Sequence, residues 1–366
     1  MAITTQTAKN QRVLVALSGG VDSAAAAYLL LRQGYEVAGV YLRLPSFVSY
    51  GSSSKEDEAD DARKICKHLG ISFYTLDLEQ EFQSVVVDYF CREYLAGRTP
   101  NPCIPCNLRI KFGTLLKEAR SMGFDFLATG HYVLLAQDQE SKRLYLQRAR
   151  DRRKDQSYFL YTLTQEQLRQ ILFPLGTYTK EEVRAMVREL GLPVHNKPES
   201  QEICFLPQGD YAAFLRSHLG HQDRGCGPIL NQWGKVLGSH KGIYSYTIGQ
   251  RRGLGLYHPT PLYVLSIDPE QNAVIVGEEP ETYRRELIAF NLRWMLIDSI
   301  QGPIKALAQI RYRHQPRPVT IFPIEENKDA VLVRFKDPER SIAPGQSVVF
   351  YQDDKVLGGG VIDRVL

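Results

Sequence analysis

Along the first third of the chain, short continuous apolar runs take turns with longer stretches of helical spacing. Val13-Leu14-Val15-Ala16-Leu17 is a five-residue apolar run, which predicts a buried strand, and Ala24 to Leu31 is rich in alanine and leucine, which predicts a helix. Gly34 closes that helix and Tyr35 to Leu42 reads as a second strand. A polar, serine-rich stretch from Ser46 to Asp57 precedes a charged helix that ends near Leu69-Gly70. Phe73 to Leu78 and Phe124 to Tyr132 supply a third and a fourth strand. Strands separated by helices imply an α/β domain with a parallel sheet, whose ligands sit beyond the carboxyl ends of the strands. Ser18, Leu42 and Gly130 fall at such ends.

From about Asp210 this alternation fades. Tyr244 to Ile248, Leu262 to Ile267 and a return strand to Val276 predict a small, mostly β central domain over residues 210–280. Beyond Glu281, Ala306 to Tyr312, Val319 to Phe322, Ala330 to Phe335 and Ser347 to Tyr351 are short strands set apart by Pro and Gly turns, the pattern of a β-barrel over 281–366. Residues 1–209 are left as the α/β domain. Alternation along the first of these barrel strands places Arg311 and Arg313 on one face and Tyr312 on the other.

Length and composition fit this division. A chain of 366 residues exceeds one compact core, and 43% apolar content suffices for several. No apolar run approaches the roughly 20 residues of a membrane span, and Met1 to Thr5 carries no charged-then-apolar leader. The expectation is a cytoplasmic protein without a membrane partner. The formal charge of +4 hides a local excess, because Lys142 to Asp155 holds seven basic residues against Asp151 and Asp155. That run abuts Gln156-Ser157-Tyr158-Phe159, and basic residues beside aromatics suit phosphate neutralisation and base stacking.

Ser18-Gly19-Gly20-Val21-Asp22-Ser23 joins the first strand to the first helix. Its glycines permit a tight turn, so backbone N–H groups, the Ser18 and Ser23 hydroxyls and the positive end of the helix converge on one anion site. The Gly-Lys-Ser/Thr ending of an ATPase P-loop is absent, as are the three spaced glycines of a dinucleotide fold. The Ser-Gly-Gly-x-Asp-Ser form resembles the pyrophosphate loop (PP-loop) of N-type ATP pyrophosphatases, which split ATP between its α and β phosphates.

The six cysteines are too scattered for a disulfide scaffold. Cys66 and Cys91 lie in apolar patterns and read as core, and Cys226 sits between glycines. Cys103 and Cys106 stand on Thr99-Pro100-Asn101-Pro102-Cys103-Ile104-Pro105-Cys106-Asn107, where three prolines argue against a regular helix. The pair is open to three readings: a redox couple, part of a metal or iron-sulfur site, or catalytic thiols. A structural zinc site lacks its second pair. Cys204 follows in Glu199-Ser200-Gln201-Glu202-Ile203-Cys204-Phe205.

Taken in order, these motifs, with Gly130-His131-Tyr132, Lys154-Asp155-Gln156-Ser157-Tyr158-Phe159-Leu160, Thr247 to Gly255 and Arg311-Tyr312-Arg313-His314, closely resemble the bacterial tRNA-specific 2-thiouridylases, the MnmA (TrmU) family. The resemblance runs from about Val13 to the C-terminus. It implies ATP-dependent thiolation of the wobble uridine (position 34) in tRNAs for lysine, glutamate and glutamine. The uracil 2-oxygen would be adenylated and then replaced by sulfur from a cysteine persulfide.

By position, the resemblance implies Cys204 as persulfide carrier and Cys106 as its partner thiol, with a transient disulfide between them. It assigns ATP to Ala16, Leu17, Ser18, Gly19, Gly20, Val21, Asp22, Ser23, Leu42 and Gly130, with Mg²⁺ on the phosphates. The target base goes to Asn101, Pro102 and Cys103, and the anticodon region of the tRNA to Lys154, Asp155, Gln156, Arg311 and Tyr312. A cysteine desulfurase or sulfur-relay protein is implied as sulfur donor. Some family members carry aspartate where this chain has Cys103, which raises the local thiols to three and opens the possibility of an iron-sulfur cluster on Cys103, Cys106 and Cys204. Two rival functions are an amide-forming ligase with the same loop, which needs no thiols, and a non-catalytic RNA-binding protein, which leaves Ser18 to Ser23 without a use.

Overall fold

The computed structural model describes residues 10–45, 55–192, 194–197, 203–206, 210–220 and 224–366. The serine-rich segment 46–54 and residues 198–202, which open the motif before Cys204, lie outside them.

The N-terminal part carries strands β1 (Arg12–Ala16), β2 (Glu36–Arg43), β3 (Ser72–Asp77), β4 (Phe126–Ala128), β5 (Val133–Gln137), β6 (Leu144–Arg148) and β7 (Ile171–Leu172). Five of them form a parallel sheet in the order β3-β2-β1-β4-β7. The chain builds outward from β1 to β3, then crosses to the other side of β1 to lay down β4. That reversal opens a crevice between the ends of β1 and β4, the usual ligand position in such sheets. Helix α1 (Val21–Arg32) packs on the sheet through Ala24 to Ala27, all fully buried, whose small side chains let helix and sheet approach closely.

The proline-rich segment departs from expectation. A helix begins at Cys103 and runs into a π-helical stretch, Cys106–Thr114. The prolines permit this because Pro102 precedes the first turn and Pro105 lies within it, where an N–H has no helical partner to lose. The Asn101 side-chain oxygen accepts the Cys103 N–H at 3.1 Å and helps start the helix.

The central part is a four-stranded sheet of β8 (Gly227–Asn231), β9 (Val236–His240), β10 (Tyr263–Asp268) and β11 (Ala273–Gly277), in the order β10-β11-β8-β9. Tyr244 to Ile248, expected as a strand, contains a 3₁₀ turn at Ile243–Ser245. Its buried tyrosines face different cores, Tyr244 beside Phe205 and Tyr246 inside the central sheet's own cluster, so the segment bridges rather than pairs.

The C-terminal part is β12 (Tyr283–Trp294), β13 (Ile304–Gln309), β14 (Arg317–Pro323), β15 (Ala330–Arg340), β16 (Ser347–Gln352) and β17 (Lys355–Val365). They follow the order β12-β15-β14-β13-β16-β17, and pairing of β12 with β17 closes a six-stranded barrel. Arg311 and Arg313 do not continue β13, which ends at Gln309; they sit on the turn that follows, exposed, while Tyr312 is half-buried. The hairpin β5–β6 adds two strands to this barrel sheet through β6 and β17.

Candidate active site

The turn after β1 is held by its own side chains. Gly19 adopts φ +67°, a conformation glycine takes without strain, and a Cβ there would lie 2.6 Å from the Glu58 carbonyl oxygen of helix α2 (Lys55–Leu69). Ser23 Oγ accepts the Ser18 N–H at 3.3 Å and donates to the Gly20 carbonyl at 3.1 Å. The Ser23 hydroxyl thus braces the loop while also lining the cavity in front of it. At the neighbouring strand end Gly130 is required by contact, since a Cβ would stand 2.8 Å from the Asp22 carbonyl carbon. The ends of β1 and β4 therefore touch at the loop itself.

Asp22 is the loop's anion, and two groups far along the chain hold it. Lys180 Nζ lies 2.6 Å from its Oδ1, and the Tyr132 hydroxyl donates to the same oxygen at 2.8 Å. Lys180 opens helix Lys180–Glu189 and its side chain is almost wholly buried. Lys197 braces the other side of the turn, donating to the Gly19 carbonyl at 3.3 Å and pairing with Asp61 of α2 at 3.1 Å. Neither lysine stands out in the sequence, because each is separated from its partner by more than a hundred residues.

In front of this loop lies a cavity of about 400 Å³. One wall is Ala16, Leu17, Ser18, Asp22 and Ser23, with Leu42 and Gly130 from the adjoining strand ends. The same cavity is lined by Pro102, Cys103, Cys106 and Cys204, and by Lys111, His131 and Gln156. Gly19, Gly20, Val21 and Asn101 lie in the same turns but outside the lining. Cys106 is buried, Cys103 half-buried and Cys204 exposed, and none of the six cysteines is in a disulfide. Burial pushes the Cys106 thiol up to about 12 and the Cys103 thiol up to about 11; Lys111 pulls both down, against the mutual influence of the thiols. His131 is buried beside Phe112 and Phe173, with Nδ1 2.8 Å from the Thr129 hydroxyl. Burial, then the Lys111 charge, holds its pKa well below the usual imidazole value, so the ring is neutral at pH 7.

Three cysteines share the cavity, yet among the described residues no group of three ligating side chains is close enough to hold a metal ion. The thiols in this arrangement do not form the ligand set of an iron-sulfur cluster. Asp22 and Glu58 are the carboxylates of the lining. They fit a Mg²⁺ ion held mainly by substrate phosphates, where one or two carboxylates suffice.

The residues expected to meet RNA divide. Asp155 is buried, and its carboxylate accepts from the Ala149 N–H at 2.9 Å, the Ser157 hydroxyl at 2.8 Å and Arg148 Nε at 3.2 Å, so it is a scaffold group turned inward. Gln156 lines the cavity, its side-chain oxygen accepting the Tyr132 N–H at 2.9 Å. Lys154 is half-buried on the turn before it. Tyr312 stacks obliquely on Phe159, with ring centroids 4.4 Å apart, which brings the Arg311-Tyr312 turn of the barrel against the Lys154 to Phe159 segment. The basic run is more balanced than its composition implies, since Arg143, Arg148, Arg150, Arg152 and Arg153 all reach carboxylates, at Asp298, Asp155, Glu182, Asp354 and Glu181.

The sequence matches known proteins over nearly its whole length. Three family profiles match in succession: a tRNA methyl transferase HUP domain over residues 11–208, a tRNA methyl transferase PRC-barrel domain over 212–278 and an aminomethyltransferase β-barrel domain over 284–362. The chain is 50% identical to tRNA-specific 2-thiouridylase MnmA 1 of Caldanaerobacter subterraneus subsp. tengcongensis, over 97% of this chain and 98% of that protein. It is 48% identical to MnmA 2 of Thermoanaerobacter sp. strain X514, over 98% and 99%. The chain belongs to the tRNA-specific 2-thiouridylase family. Membership makes it an enzyme, a tRNA sulfurtransferase. The family profiles are named for methyl transfer, whereas the relatives matched over nearly their full length are 2-thiouridylases. A solved 4-thiouridine synthetase with RNA and ATP aligns over 57% of this chain and 50% of its own at 16% identity and a TM-score of 0.35, too loosely to bear on the chemistry. Among the described residues no helix is long and apolar enough to cross a membrane.

Proposed function

We propose that this enzyme adenylates the 2-oxygen of the wobble uridine in tRNAs for lysine, glutamate and glutamine, and replaces it with sulfur carried as a persulfide on Cys204. The observation that carries the proposal is a single cavity lined both by Ser18, Asp22 and Ser23 of the loop and by Cys103, Cys106 and Cys204. A uracil oxygen is a poor leaving group until it is esterified to AMP, and the ester needs a strong nucleophile close by. An amide-forming ligase has no use for those thiols.

In this reading ATP lies along Ala16 to Ser23, Leu42 and Gly130, and the α1 N-terminus meets its phosphates. Asp22 or Glu58, together with those phosphates, would hold Mg²⁺, which would supply charge neutralisation. The base is received by Asn101, Pro102 and Cys103, with Asn101 also starting the helix that presents Cys106. RNA approaches along Lys154, Gln156, Arg311 and Tyr312, and Asp155 acts by fixing the turn that carries Lys154 and Gln156. The wobble base leaves its stack to enter the cavity. A cysteine desulfurase, directly or through a relay protein, loads Cys204, whose exposure leaves it open to a donor. The working units are residues 1–209, 210–280 and 281–366, in the cytoplasm.

The test is mass spectrometry of tRNA incubated with the enzyme, ATP, Mg²⁺, a desulfurase and free cysteine. Wild type is expected to form 2-thiouridine at position 34, and Cys106→Ala and Cys204→Ala to form none while still releasing pyrophosphate when tRNA is added. Full thiolation by Cys204→Ala overturns the carrier assignment; pyrophosphate release indifferent to tRNA overturns the substrate.

A further inference from the structure

Lys111 is the only lysine or arginine among the described residues that line the cavity, and none of the described carboxylates pairs with it. The other lining charges are Asp22, already held by Lys180, and Glu58. A lone cation thus shares a half-enclosed space with Cys103, Cys106 and Cys204.

Its placement depends on how the helix is wound. In an α-helix a residue five positions on lies about 140° around the axis, on a different face. Cys106–Thr114 is π-helical, and i→i+5 closure returns Lys111 over Cys106. The winding is supported from outside: Gln167 Nε2 donates to the Phe112 carbonyl at 2.7 Å and the Leu108 carbonyl at 3.3 Å, and Asn107 Nδ2 reaches the Phe159 carbonyl at 3.4 Å. Gln167, brought from another element to two carbonyls of the wide helix, and Asn107, tying the helix to the Phe159 carbonyl, mark a built feature rather than a frayed one.

We propose that Lys111 holds the negative charge on sulfur during transfer. The step rests on the persulfide reading above. Cys106 thiolate attacks Cys204 Sγ, the inner sulfur of the protonated Cys204 persulfide; the Cys106–Cys204 disulfide forms, and the old S–S bond breaks with its electron pair leaving on the outer sulfur as hydrosulfide. Hydrosulfide adds to C2 of the adenylated uracil, AMP departs with the oxygen, and the sulfur loses its proton as the thiocarbonyl forms. A dithiol reductant later restores both thiols. One negative charge stays on sulfur until it reaches the base, in a cavity whose other fixed charges are carboxylates. Burial disfavours that charge and Lys111 opposes the penalty.

The experiment separates the two half-reactions in the full-length enzyme. Lys111→Met and Lys111→Gln are expected to keep tRNA-dependent AMP formation within about threefold while 2-thiouridine formation falls about a hundredfold, the scale of one lost charge-stabilising donor. Lys111→Arg is expected to recover most of that loss. A readout independent of the sulfur reading is iodoacetamide labelling of Cys106 at pH 7.5, which slows in the uncharged variants and not in Lys111→Arg. AMP formation and thiolation falling by the same factor would overturn the assignment, as would unchanged thiolation or unchanged labelling. Wild type that forms AMP without 2-thiouridine would instead remove the thiolation reading, and labelling alone then decides the role of Lys111.

Discussion

Single side chains in this molecule are set by partners from distant positions, and their responses follow from burial. His131 is neutral because it is buried, so the unfolded chain binds its proton more readily than the folded one. Stability from this group is therefore full above the unfolded value near 6.5 and declines as pH falls below it, by up to about 1.4 kcal/mol per pH unit. Urea unfolding between pH 7.5 and 5 is expected to show this slope, and His131→Asn to flatten it. The Lys180–Asp22 pair is also open to test. Lysine here is 6% exposed and aspartate 35%, so Lys180→Met strands a carboxylate that water reaches in part, with an expected loss on the order of 2 kcal/mol, below a fully buried pair. Asp22→Asn in the same chain is expected to restore stability but not ATP-dependent pyrophosphate release; equal recovery of both would show that Asp22 serves only the fold.

At the level of elements, four of the five strands of the parallel sheet, β1 to β4, could be read from sequence because their signals are local, whereas the two-residue edge strand β7 is too short to leave one. The apolar run before Ser18 and the alanines after it stand one turn apart, and both are buried as expected, apart from half-buried Ala16. The π-helical stretch could not be read, since a widened turn shifts register without changing composition; Cys106, Asn107, Ile110 and Phe112 are buried at spacings that fit neither a strand nor an α-helix. The prolines pointed the wrong way there because their position in the turn, not their number, decides whether a helix forms. Helix Lys180–Glu189 shows how an element's end serves the site. Thr179 accepts the Glu182 N–H at 3.2 Å, Glu182 returns a bond to the Thr179 N–H at 2.7 Å, and Lys180 is the first residue inside that capping box. Thr179→Ala is expected to cost about 1 kcal/mol by thermal unfolding. Because the first turn carries Lys180, pyrophosphate release is expected to slow several-fold as well. An equal stability loss with unchanged release would detach the cap from the site.

Across the whole molecule the divisions visible in sequence are crossed by hydrogen bonds and by a common core, which composition could not reveal. Leu144-Tyr145-Leu146, hidden within a segment notable for its charges, forms β6 and lies in the same cluster as Leu14 of β1 and Val349, Tyr351 and Val356 of the barrel. The Tyr158 hydroxyl donates to the Ser347 carbonyl at 2.9 Å, Tyr161 meets the Ser347 hydroxyl at 3.0 Å, and Arg98 donates to the Ile362 carbonyl at 3.0 Å. Removing residues 281–366 would thus expose the β6 edge, leave buried tyrosine hydroxyls without acceptors and open an apolar face. A chain ending at residue 280 is expected to aggregate on expression, whereas co-expressed 281–366 is expected to recover soluble material by completing the sheet. Soluble, monomeric 1–280 that binds ATP as tightly as the full chain would show that the α/β part folds alone and that the barrel serves RNA only.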